Sequence, residues 1–120
     1  MDVLIVEPDP DLGGVWANCL QRQGAKVTLT HTQDQALAFL HAHPVQVIVL
    51  NLVLGQGSAF AIADYANYRH PNARVMFVTN TSFFSDGSIF QLVSNTCAFL
   101  PTNVPPEDLA AMVEHYGSRA

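Results

Sequence analysis

At 120 residues the chain fits a single domain, residues 1–120, long enough to bury a substantial core. Its apolar fraction is 49% and its charged fraction only 12%, about half the usual globular share, which excludes disorder and points to apolar surface facing a partner. Formal net charge is −5, and the five basic residues (Arg22, Lys26, Arg69, Arg74, Arg119) are scattered along the sequence. Without a basic stripe, direct nucleic-acid contact is not expected. No apolar stretch is long enough to span a bilayer and the N-terminus lacks signal-peptide flanks, so a cytoplasmic location is the default expectation.

The chain alternates strand and helix. Met1–Val6 reads as a strand that stops at Glu7-Pro8-Asp9-Pro10. Pro10 suits a first helical turn with Asp9 as N-cap, and Leu12, Val15, Trp16, Cys19 and Leu20 then recur at helical spacing until Gly24. The Gly13-Gly14 pair is unfavourable by propensity, which predicts close packing or a loosened first turn there. Lys26–Thr30 is a second strand, and Thr32 caps a helix burying Ala36, Leu37 and Leu40 before Pro44. Val45–Leu50 is the strongest apolar run and reads as a buried parallel strand. After the loop at Leu52–Gly57, Ser58 caps a third helix carrying Phe60, Ile62, Ala63 and Ala66. Arg74–Thr79 is a fourth strand, a weaker helix is expected within Ser85–Ser94, and Ala98–Pro101 is a short fifth strand. Pro105-Pro106 opens a last helix whose Leu109, Met112, Val113 and Tyr116 fall on one face, closed by Gly117. Five strands alternating with five helices imply an α/β fold with a doubly wound parallel sheet, covered on both faces. The sequence shows no internal repeat, linker or low-complexity tract.

In such a sheet the working residues sit beyond the carboxyl ends of the strands. Here those ends carry Glu7-Pro8-Asp9, Asn51, Thr79-Asn80 and Thr102. With the segments Val3–Leu12, Val49–Leu52 and Phe99–Val104, and with the order of elements, they resemble the receiver domain of two-component response regulators. The resemblance covers essentially the whole chain and rests on joint spacing rather than on any one motif. It implies a strand order 2-1-3-4-5. It also implies an acidic pair that holds Mg²⁺, a phosphoacceptor Asp, a Ser or Thr, an aromatic switch residue and a Lys followed by Pro.

Position by position, Glu7 matches the first acid and Pro8 replaces the second. Asn51 stands at the phosphoacceptor, Thr79 at the hydroxyl position, Phe99 at the aromatic switch, and Thr102-Asn103 at Lys-Pro. Asn95 falls where the family commonly turns on Gly. An amide is a poor nucleophile and a poor ligand for a hard cation. Phosphoryl transfer depends on positioning and charge neutralisation, and here the nucleophile, one ligand and the cation are lost together. The sequence therefore reads as a pseudo-receiver, with no catalytic residue, metal or cofactor expected. Plainer roles stand beside this reading. Asp9 serves as a helix cap, Glu7 complements a helix dipole, Thr79 is an ordinary strand residue, and Asn51 bonds loop backbone.

The five histidines (His31, His41, His43, His70, His115) lack convergent spacing and read as surface residues. Cys19 and Cys97 show no motif and read as reduced, largely buried thiols. Function is expected on a surface. Phe83, Phe84, Ile89, Phe90, Met112 and Tyr116 lie around the fourth and fifth helices, where the family, with the fifth strand, commonly forms dimer or partner contacts. The expected partner is a protein or a second copy of the chain, although the same phenylalanines would equally complete a core. Two alternative readings belong to other functional classes. A flavodoxin-like FMN carrier needs a Ser/Thr/Gly-rich phosphate loop where Glu7–Asp11 would repel phosphate. A phosphohydrolase with an Asp-x-Asp motif would have to use Glu7 and Asp9, without a cationic partner near the fifth strand.

Overall fold

The computed structural model describes residues 1–79 and 96–117. β1 (Asp2–Val6), α1 (Pro10–Arg22), β2 (Lys26–Thr30), α2 (Gln33–Ala42), β3 (Val47–Asn51), α3 (Ala59–Arg69), β4 (Arg74–Thr79), β5 (Thr96–Pro101) and α4 (Pro106–Gly117) follow in chain order. The helix expected within Ser85–Ser94 lies outside the described residues, so α4 is the fifth helix of the sequence reading.

Capping chemistry sets the helix starts. The Asp9 carboxylate accepts from the Asp11 N–H at 2.9 Å, and Pro10 occupies the first turn without needing a hydrogen bond of its own. The Thr32 hydroxyl accepts from Gln35 N–H at 3.1 Å and the Ser58 hydroxyl from Ala61 N–H at 3.3 Å. Gly24 follows α1 at φ 93°, a left-handed conformation that favours glycine.

All pairings are parallel, in the order β2-β1-β3-β4-β5. Alternation along each strand then divides the core in two. Leu4, Val6, Ile48, Leu50, Val75 and Phe77 face α2 and α3. Val3, Ile5, Val47, Val49, Met76 and Val78 face α1 and α4, where Trp16, Leu109 and Val113 close over them. Both faces are apolar because both are covered, which is why Val47–Leu50 reads as a continuous run.

Two strand starts differ from the sequence reading by two residues, while β1 starts at Asp2 and β3 ends at Asn51, each one residue later than read. β3 begins at Val47 rather than Val45, although Gln46 is already bonded through its N–H to the Asp2 carbonyl and through its carbonyl to the Arg74 N–H. β5 begins at Thr96 rather than Ala98, because a register shift opposite Val75/Met76 accommodates one extra residue before regular pairing resumes. On α4, Leu109 and Val113 are buried while Met112 and Tyr116 are half-buried against the same core. Cys19 is only half-buried; its thiol lies 3.5 Å from the Pro106 carbonyl.

Candidate functional site

Parallel register brings the carboxyl ends of β1, β2, β3 and β4 together: Val6 lies opposite Thr30 and Leu50, and Asn51 opposite Val78. Glu7 is the next residue after β1, and its backbone N–H continues the ladder to the Thr30 carbonyl at 3.0 Å. The side chain turns inward and is only 2% exposed. A buried carboxylate must find donors. Glu7 finds two: the Asn51 amide donates from Nδ2 to Oε1 at 2.8 Å, and the Asp9 N–H donates to Oε2 at 3.0 Å.

Asn51 closes a second contact. Its Oδ1 accepts from the Val53 N–H at 2.8 Å, bending the chain into the β3–α3 loop. The amide orientation follows from the chemistry, since the carboxylate on one side only accepts and the N–H on the other only donates. The neighbouring Leu52 N–H donates to the Val78 carbonyl at 2.9 Å, so the loop is tied to β4 as well.

Two residues that the sequence did not place at the site contribute to it. His31, first after β2, bonds through Nδ1 to the Glu7 carbonyl at 2.9 Å. The carbonyl can only accept, so Nδ1 is the protonated nitrogen. The signal for His31 lay in register, since β1 and β2 end at paired positions. Gly13 is the other. A Cβ built there would lie 2.7 Å from Leu29 Cδ1 and 3.4 Å from Glu7 Cβ, so glycine lets α1 settle over the Glu7 stem. Gly14 has nothing within 4 Å, so the close packing belongs to Gly13 alone.

The remaining positions lie around this pair. Pro8 is exposed and offers no side-chain ligand, and Asp9 is occupied as the α1 cap. Thr79 is buried at the end of β4, and its carbonyl accepts from the Thr102 N–H at 3.2 Å. Thr102 is half-buried. Phe99 is also half-buried and stacks on the fully buried Phe77, with ring centroids 5.4 Å apart and planes at 15°. Phe83, Phe84, Ile89 and Phe90, with Asn80 and Asn95, lie outside the described residues. Among the described residues no three His, Cys, Asp or Glu side chains are grouped to hold a metal ion, and no helix is long and apolar enough to cross a membrane.

The donor set does not fit Mg²⁺. Such an ion takes an octahedron of oxygens, usually with one or two carboxylates. Glu7 has both oxygens engaged and almost no exposed surface, and the Asn51 group facing it is a nitrogen donor rather than an oxygen ligand. The arrangement can hold two loops together; it presents no nucleophile at the end of β3.

No protein-family model matches the sequence, and comparison with curated protein sequences gives no match. The fold, by contrast, is shared widely among solved structures. A CheY-like response regulator receiver domain protein from Methanospirillum hungatei superposes with a TM-score of 0.88 at 19% identity, covering 98% of this chain and 94% of that one. The signal receiver domain of a putative Luxo repressor protein from Vibrio parahaemolyticus gives 0.85 at 21% identity, covering 98% and 90%. A response regulator protein from Burkholderia pseudomallei, solved with a phosphorylated aspartic acid, a calcium ion and citrate, gives 0.83 at 21% identity, covering 98% and 69%. The chain therefore has the fold of response regulator receiver domains.

Proposed function

We propose that residues 1–120 form one receiver-like domain that acts in cytoplasmic signal transduction as a pseudo-receiver, through protein contacts that do not depend on phosphorylation. The observation that carries this reading is the side chain at the end of β3. Asn51 spends its amide on Glu7 and Val53, where phosphoryl chemistry would need a free carboxylate. Pro8 and Thr102 point the same way, since they supply neither a second acid nor a cation. The shared fold supports the signalling part of the proposal, and the chemistry of the pocket supports its independence from phosphate.

The contact surface we assign to Phe83, Phe84, Ile89 and Phe90 together with Met112, and the partner to a second copy of the chain or another protein. Met112 is half-buried on α4 and, like Leu100 and Tyr116, packs against the core that lies between the sheet and helices α1 and α4. Sedimentation of the wild type and of Phe83→Ala, Phe84→Ala and Phe90→Ala, with and without a small phosphodonor and Mg²⁺, tests the proposal. Association should be insensitive to the phosphodonor and weakened about thirtyfold by truncating an anchor, with melting little changed. Early melting of all three variants, about 3–5 kcal/mol less stable with association unchanged, would place these rings in the core and defeat the surface assignment.

A further inference from the structure

The misfit between the pocket and a metal ion has a specific form. One side chain, Asn51, reaches in both directions. It donates 2.8 Å to the carboxylate of Glu7 and accepts 2.8 Å from the N–H of Val53. Glu7 in turn holds the Asp9 N–H at 3.0 Å, at the cap of α1. The chain of contacts Asp9–Glu7–Asn51–Val53 thus joins the β1–α1 loop to the β3–α3 loop through hydrogen bonds alone. A carboxylate at position 51 could make the Val53 contact but not the Glu7 contact, because it has no donor. Bringing two carboxylates together at this place would need a proton or a cation between them.

We propose that Asn51 is a positioning residue whose amide takes the bridging place of a cation, fixing the two loops in one arrangement that neither metal nor phosphoryl transfer changes. This rests on the pseudo-receiver reading and deepens it: these two loops are held permanently in one arrangement rather than switched. Gly13 and burial contribute by keeping the Glu7 carboxylate dry, where a hydrogen bond to a charged group is stronger than at an exposed position.

Amide hydrogen exchange by NMR on the full chain tests the proposal, reading Val53 and Asp9 in the presence of Mg²⁺ or of a chelator. In the wild type the protection of both amides should be the same under the two conditions. Asn51→Ala should lower protection at Val53 about tenfold in either condition. Asn51→Asp should make protection metal-dependent, low with chelator and restored by Mg²⁺, which a merely space-filling residue would not produce. Glu7→Gln keeps an acceptor for the Asn51 amide but can turn only one oxygen to its two donors. It should loosen Asp9 while leaving Val53 protected, and it remains informative if Asn51→Asp folds poorly.

Mg²⁺-dependent protection in the wild type, or unchanged protection at Val53 in Asn51→Ala, would overturn the proposal. Failure of the functional reading would look different. Phosphoryl incorporation into the wild type would refute the pseudo-receiver, whatever the exchange data show.

Discussion

Asn51 and Glu7 depend on each other. A carboxylate with 2% exposure is tolerable because an amide N–H and a backbone N–H reach its two oxygens. Replacing the amide by Asp removes a charge-assisted hydrogen bond and sets two acids side by side. In the absence of metal we expect Asn51→Asp to lose about 1.5–3 kcal/mol at neutral pH. Protonating one carboxyl restores a donor and removes the repulsion. The folded variant therefore takes up a proton more readily than its unfolded chain, and its stability relative to wild type should recover as pH falls. Urea unfolding at neutral and mildly acidic pH checks this; a deficit that grows on acidification would contradict it. The same variant should remain a poor phosphoacceptor, since Pro8 and Thr102 still supply neither a second acid nor a cation. Pro8→Asp and Thr102→Lys would be needed with it.

Element boundaries here follow from single side chains, and that is where the sequence was most legible. Asp9, Thr32 and Ser58 each precede a helix and each accept from its first turn, a chemistry that one residue and its spacing reveal. The start of β5 was not legible in this way, because it depends on a register shift against β4 that only pairing can show. The Gly13-Gly14 pair sits between these cases: the sequence announces an anomaly in α1, and packing decides which glycine matters. Gly14→Ala meets nothing within 4 Å and should gain about 0.5–1 kcal/mol from helix propensity. Gly13→Ala gains the same propensity but must displace the Leu29 methyl, so it should fall short of Gly14→Ala by about 1 kcal/mol or more. Thermal melts of the two variants decide the matter. Equal stabilisation by both would mean that α1 has room above Glu7.

Across the whole molecule the topology gathers charges that the sequence spreads out. Arg22 and Arg69 end helices, Lys26 and Arg74 begin strands, and all four are exposed at the amino edge of the sheet. Asp11, Asp34, Glu107 and Asp108 lie in first helical turns at the carboxyl edge. The helix-borne charges named complement the dipoles of their own helices, while Asp2 at the start of β1 and Glu114 late in α4 are acidic at the amino edge. The basic residues are thus scattered only in sequence; Arg119 lies outside the described residues. The candidate site shows the same limit on what a sequence reveals. Strand ends name Glu7, Asn51, Thr79 and Thr102 by spacing alone. The contacts among Glu7, Asn51, Val53 and His31 depend on side-chain direction and neighbouring register, which no periodicity encodes.

Intact-mass measurement of the chain after incubation with a small phosphodonor and Mg²⁺ tests the proposal that this domain takes no phosphoryl group. The spectrum should be unchanged from that of the untreated protein, because Asn51 is an amide engaged at both ends and Glu7 is buried with a donor on each oxygen. A labile adduct of one phosphoryl group, mapped to Glu7, Asp9 or Thr79, would contradict it.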